Sequence, residues 1–226
     1  MTKKVLLLPG WAQNSGSLVS LFNDSSGRFF IDDTNYLDHS SFTDFTNKVR
    51  GRDYDLLIGW SLGGQIALRL LNELAISTKS LVLLATPFDF IDLQFEQKQK
   101  TDFADFYNLA LSAPNLAIKR LIALSALNDD KQQLVIEEMT KNKFLSGHLP
   151  YWLNELKDFS CRNINFSKIP ATLIIQGKND AVVCRNQLEY FKKSAINAQY
   201  IIINGCGHAP QISAKQQVQE IIQLCL

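Results

Sequence analysis

The sequence predicts an α/β fold: a mostly parallel, doubly wound sheet of six strands carrying a helical insertion. Three observations lead there. Short, nearly all-apolar runs alternate with helical patterns, as expected of strands buried on both faces. The alternation stops between Phe88 and Phe166, where only helical periodicities remain. At 226 residues the chain is long enough for one domain with a full core and an insertion. Residues 1–87 and 167–226 are expected to form the core, and 88–166 the insertion.

The elements follow in order. Val5–Leu8 is a buried strand and Arg28–Ile31 a weaker one. Ser41–Arg50 reads as a helix and Tyr54–Ile58 as the third strand. From Leu62 to Ile76 a helix places Leu62, Ile66, Leu70 and Leu74 on one face at spacing four. Ser80–Ala85 is the fourth strand. In the insertion, Phe95, Phe103, Phe106 and Tyr107 form an aromatic-rich stretch, of which most pack the insertion and a minority line a pocket. Ser112-Ala113-Pro114-Asn115 punctuates it, and an amphipathic helix runs from Leu116 to Leu127. Thr172–Gln176 and Gln199–Ile203 are the last strands. A final helix carries Val218, Ile221, Ile222 and Cys225.

Composition excludes several classes. With 23 Lys+Arg against 22 Asp+Glu, the chain has no polyanion-binding excess, so no nucleic-acid partner is expected. The four cysteines form no Cys-x-x-Cys or His/Cys cluster, which points to reduced thiols and a cytoplasmic setting and away from a metal site. The apolar run near the amino terminus is too short for a signal peptide, and no run is long enough for a membrane span. No G-x-G-x-x-G or Walker phosphate loop occurs.

The chemistry concentrates at Gly59-Trp60-Ser61-Leu62-Gly63-Gly64, between a predicted strand and a predicted helix. A turn that tight needs small residues on either side of the serine, and it would hold the Ser61 hydroxyl at the carboxyl edge of the sheet. A serine is a poor nucleophile until a base takes its proton. The chain has three histidines. His208 alone follows a strand, in Gly205-Cys206-Gly207-His208-Ala209-Pro210; His39 and His148 lie in polar loops and are expected to be solvated or locally bonded. Asp180, in the Gly-containing turn after the fifth strand, is the candidate acid that would fix the imidazole. The order Ser61, Asp180, His208 is that of the α/β-hydrolase triad. An oxyanion hole would use the amides of Leu62 and of Trp11, in Leu8-Pro9-Gly10-Trp11 after the first strand. This chemistry implies no metal and no organic cofactor.

The chain resembles the α/β-hydrolases, and within them the pimeloyl-[acyl-carrier protein] methyl ester carboxylesterases of biotin synthesis (BioH type). The resemblance is carried by Gly10-Trp11, Gly59-Trp60-Ser61-Leu62-Gly63-Gly64, Ala85-Thr86-Pro87-Phe88, Lys119-Arg120-Leu121-Ile122-Ala123-Leu124 and Gly207-His208-Ala209-Pro210-Gln211-Ile212-Ser213. It implies an α/β-hydrolase fold whose insertion is a lid. It also implies a serine carboxylesterase with Ser61 as nucleophile, His208 as base and Asp180 as acid. Trp11, Trp60, Leu62 and Leu121 would contact the substrate, and Lys119 and Arg120 would meet an acyl carrier protein. The chain departs from the family at Pro9-Gly10, where His-Gly is usual. The insertion is also net acidic, with nine Lys+Arg against eleven Asp+Glu from Phe88 to Asn165. That balance keeps open a hydrolase of small esters or thioesters with no carrier partner. A non-catalytic binding protein on the same fold is a third reading, since the triad does not fix the reaction.

Overall fold

In the computed structural model the described residues are 2–22, 27–91 and 96–224, of which 96–99 are described by backbone alone. Phe95 and Cys225, which the sequence assigns to the insertion and the last helix, lie outside them. Six strands form one sheet: β1 Lys3–Leu8, β2 Phe29–Asp32, β3 Asp53–Trp60, β4 Ser77–Leu84, β5 Ala171–Gly177 and β6 Gln199–Ile203. Their order is β2-β1-β3-β4-β5-β6, and every pairing is parallel. The helices are α1 Gly16–Val19, α2 Phe42–Val49, α3 Leu62–Asn72, α4 Glu96–Ser112, α5 Pro114–Ala126, α6 Gln132–Lys141, α7 Leu149–Asp158, α8 Asn186–Ser194, α9 Pro210–Ser213 and α10 Lys215–Gln223.

The apolar runs become the centre of the sheet because both of its faces are covered. Val5 to Leu8, Leu56 to Ile58 and Leu81 to Leu84 are all buried. The chain leaves β1 for the β2 edge and returns across it to β3, so the strand order reverses between β1 and β3. Open α/β sheets bind ligands at such a point, outside the carboxyl ends of the strands. Here the register Leu8↔Gly59 sets those two ends level.

The sequence reading needs correction at α3. The helix ends at Asn72, and Leu74 stands outside it, 72% exposed, with φ of +54°. The Ala75 amide donates to the Leu70 carbonyl at 2.9 Å, closing the helix with a left-handed residue of the kind usually filled by Gly or Asn. This sharp reversal lets β4 begin at Ser77, paired with Asp53. The first half of β4 is polar and partly exposed, so an apolar-run reading starts it three residues late. In α5 the buried positions are Ala117, Ile118, Ile122, Ser125 and Ala126, while Leu116 and Leu127 are exposed. In α10, Val218 and Ile222 are buried and Ile221 packs against the core.

Helices α4 to α7 form the segment between β4 and β5. Its ends are tied together: the Cys161 amide donates to the Phe88 carbonyl at 3.0 Å, and Arg162 Nε pairs with Asp89 Oδ2 at 2.7 Å. His39 Nδ1 pairs with Asp44 at 3.2 Å, and His148 precedes α7 at its N-cap. Cys161 and Cys206 are buried thiols outside any disulfide. Burial raises the Cys161 thiol pKa and pushes that of Cys206 up to about 12, while Cys184 is exposed. Alkylation of native protein at mildly alkaline pH, mapped by peptide mass, is therefore expected to label Cys184 and spare Cys161 and Cys206 until the protein unfolds.

Candidate active site

Ser61 sits between β3 and α3 with φ of +54° and ψ of −123°, a conformation that L-residues rarely adopt. It is held there by its amide, which donates to the Leu84 carbonyl at 2.8 Å, and by its carbonyl, which accepts the Gly64 amide at 2.9 Å. The flanking glycines are steric necessities. A Cβ on Gly59 would run into the Gly64 backbone, and one on Gly63 would run into the Leu8 and Pro9 carbonyl oxygens.

The three residues singled out from the sequence converge. His208 Nε2 lies 3.0 Å from Ser61 Oγ, and His208 Nδ1 lies 2.8 Å from Asp180 Oδ2. The Asp180 side chain is fully buried, and both its oxygens are engaged. Oδ1 accepts the Val182 and Val183 amides at 2.8 and 2.9 Å, and Oδ2 also accepts Gln176 Nε2 at 2.7 Å. A carboxylate with that set of donors only accepts, so Nδ1 of His208 carries the proton and Nε2 is free to accept from the Ser61 hydroxyl. Asp180 is thus both the turn residue and the partner of the imidazole. Gln176 escaped the sequence reading. Its signal was a polar residue at the carboxyl end of an otherwise apolar strand, just before Gly177.

The β1 loop meets this group from the other side of the strand-order reversal. Among the described residues, neither the Trp11 nor the Leu62 amide has a hydrogen-bond partner. The Trp11 side chain is fixed by Nε1, which donates to the Leu149 carbonyl at 2.9 Å, and by an edge contact with Phe106 at 5.6 Å. Trp60 lies against Gly10, and its Nε1 donates to the His208 carbonyl at 2.8 Å.

A cavity of about 830 Å³ opens above Ser61 and His208. Its wall is mostly apolar and includes Trp11, Trp60, Phe103, Phe106, Leu121 and Leu153. The aromatics thus divide. Phe103 and Phe106 reach the cavity, whereas Tyr107 stacks on Phe103 outside it and Phe88 packs on Phe191 at 5.0 Å. Leu62 is fully buried and not part of the wall; what it can offer is its amide. Arg120 lines the cavity, and Lys119 is exposed on α5 away from it. Among the described residues no group of three or more His, Cys, Asp or Glu is arranged to hold a metal ion, and no helix is long and apolar enough to cross a membrane.

Comparison with known proteins bears on the family and the fold. The chain is 26% identical over 235 residues to the pimeloyl-[acyl-carrier protein] methyl ester esterase of Nitrosomonas europaea, covering 94% of this chain and 91% of that one. It is also 26% identical to the biotin biosynthesis bifunctional protein BioHC of Teredinibacter turnerae, over 94% of this chain but only 41% of the longer relative. Among solved structures, an esterase from Exiguobacterium antarcticum superposes with a TM-score of 0.77 at 17% identity, covering 99% of this chain and 92% of that one. A bromoperoxidase from Bacillus anthracis also gives 0.77, at 16% identity, covering 100% and 92%. These two likenesses speak for the fold. The model of the alpha/beta hydrolase family matches residues 5–221, and the chain belongs to that family.

Proposed function

We propose that this chain is a serine carboxylesterase in which Ser61 is the nucleophile, His208 the general base and Asp180 the acid. The observation that carries this reading is the hydrogen-bonded series Asp180–His208–Ser61, at 2.8 and 3.0 Å, on the floor of an apolar cavity. Ser61 Oγ attacks the ester carbonyl carbon as His208 Nε2 takes its proton. The Trp11 and Leu62 amides receive the oxyanion. The tetrahedral species collapses, and the alcohol leaves with the proton from His208. Water, deprotonated by His208, then attacks the acyl-enzyme and releases the acid.

The substrate we propose is the methyl ester of a pimeloyl chain on acyl carrier protein, in the cytoplasm. The names of the Nitrosomonas and Teredinibacter relatives support it, as does an apolar cavity with room for an acyl chain. Residues 88–166 would then be the lid over a core of 1–87 and 167–226. Lys119 and Arg120 would face the acidic carrier. The test is to incubate the protein with methyl-pimeloyl acyl carrier protein. Demethylation is expected, absent in Ser61→Ala, and Lys119→Glu is expected to raise KM for this substrate by roughly tenfold.

The acidic balance of the insertion favours a second reading, a hydrolase of small esters or thioesters without a carrier. Cleavage of p-nitrophenyl esters with no turnover of the carrier-bound ester would select it. A Ser61 inert to a fluorophosphonate probe would instead select a non-catalytic binding protein.

A further inference from the structure

The loop that bears His208 has little of its own to hold it. Gly205-Cys206-Gly207 offers one side chain, and Gly205 takes a positive φ of 68°. The Asn179 amide donates to the Cys206 carbonyl at 2.9 Å, and further support comes from the segment between β4 and β5. The His208 amide donates to the Ser125 carbonyl at 3.1 Å, one of the last-turn carbonyls that α5 leaves without a partner of its own. The Asp130 amide donates to the Gly205 carbonyl at 2.8 Å. Asn179 Nδ2, one residue before Asp180, donates to the Asn128 carbonyl at 2.8 Å. The only side chain of this turn that bonds the His208 loop, among the described residues, is Asp129: its Oδ2 accepts the Gly207 amide at 2.7 Å.

We propose that Asp129, in the turn between α5 and α6, is a positioning residue for His208. Three features support the assignment. The carboxylate is 7% exposed and accepts at both ends, Oδ1 taking the Lys131 amide at 2.8 Å and Oδ2 the Gly207 amide. Only a carboxylate can do both, because an amide would turn an N–H towards one of the two N–H groups. The bonded peptide is the one that joins Cys206 to Gly207, one residue before His208, and its orientation sets how the chain enters the residue that carries the imidazole. The other side of His208 is fixed as well, its carbonyl accepting Trp60 Nε1 at 2.8 Å. Asp129 on the Gly207 amide and Trp60 on the His208 carbonyl therefore hold the chain on either side of the His208 Cα, with the ring 3.0 Å from Ser61 Oγ. Gly207 is pressed so closely on the end of α5 that a Cβ there would lie 2.8 Å from the Ser125 carbonyl oxygen. Loss of the Asp129 bond removes the hold on the N–H side of the Cys206–Gly207 peptide, whose oxygen still accepts the Asn179 amide at 2.9 Å, and loosens the entry into His208 while leaving the serine, the acid and the cavity in place.

The proposal rests on the triad reading, and the experiment separates the two. Asp129→Asn is assayed with p-nitrophenyl acetate beside Asp130→Asn, which removes an adjacent charge but keeps the Asp130 amide bond. The His208 Nδ1–H resonance is followed by NMR in the same proteins. Asp129→Asn is expected to lower kcat on the order of 10- to 100-fold with KM within about twofold, and to shift or broaden that resonance. Asp130→Asn is expected to change neither. A folded Asp129→Asn with unchanged kcat and an unchanged resonance overturns the proposal, even if its Tm falls. Equal losses in both variants overturn it too, since they point to charge and not to the hydrogen bond. If Asp129→Asn does not fold, Asp129→Ser, smaller and with one accepting oxygen, is judged by the same criteria. Failure of the triad reading shows elsewhere, as full activity of Ser61→Ala, and the NMR comparison does not depend on activity.

Discussion

Replacing Ser61 by alanine is expected to lower kcat for ester hydrolysis by about 10⁴- to 10⁶-fold. The hydroxyl is the only part of the side chain that the mechanism uses, and His208 and Asp180 cannot substitute for it at the carbonyl carbon. Binding is expected to survive, because the cavity wall and the two free amides are untouched. Stability should also hold. Ser61 Oγ bonds to His208 Nε2 at 3.0 Å, and that nitrogen borders the cavity, where water can replace the lost partner. Ser61→Gly gives an internal check. The backbone at this position has φ of +54°, which glycine adopts without strain, so Ser61→Gly should be equally inactive yet melt higher than Ser61→Ala. Calorimetry and p-nitrophenyl acetate turnover on the two variants decide it. Retained turnover in Ser61→Ala would move the nucleophile elsewhere.

The second large effect is on folding. Gly63→Ala is expected to destabilise the protein by on the order of 4 kcal/mol or more. The new Cβ would collide with the Leu8 and Pro9 carbonyl oxygens, which belong to β1 and the loop that follows it. Backbone in the middle of a buried sheet has no room to retreat, so either β1 or the start of α3 must shift. Both carry groups of the site, the Trp11 and Leu62 amides. Gly147→Ala is the control: nothing lies within 4 Å of a Cβ there, and its effect should stay within about 0.5 kcal/mol. Urea unfolding of the two variants measures the difference. Comparable midpoints would mean that the β1–α3 contact is looser than described.

Much of the fold was readable because a parallel sheet needs continuous apolar runs. Val5–Leu8, Leu56–Ile58 and Leu173–Ile175 leave few alternatives, and all of β6 was placed. Misreadings arose where geometry overrides hydrophobicity. Leu74 fits the period of α3, yet the chain must turn back there to reach β4, and the leucine is left in solvent. Ser77 and Thr78 fall outside an apolar-run reading of the strand but pair with β3, since a ladder depends on backbone and not on side chains. The residues of the site divide likewise. Ser61, Asp180 and His208 were legible because each follows a strand in a small-residue turn. Which phenylalanines face the cavity was not, because Phe103 and Phe88 differ only in the packing around them. Asp129 was invisible for a similar reason. In the sequence Asn128-Asp129-Asp130 is a turn after a helix, and only the fold brings it to Gly207.

The arrangement of strands has a consequence for how the molecule is made. β4 ends at Leu84 and β5 begins at Ala171, yet the two are neighbours in the sheet. Ser61 belongs to the amino-terminal side of that seam, and Asp180 and His208 to the carboxyl-terminal side. Joining the halves requires closing the longest loop in the chain, which costs entropy before any contact across it forms. Parallel pairings between distant segments are also intrinsically slow. On the ribosome, the strands up to β4 emerge and can collapse while β5 and β6 are still unsynthesised, with one edge of β4 bare. The nascent chain therefore passes through a stage in which Ser61 is present and His208 is not, and the Asp180–His208–Ser61 series forms only when the seam closes.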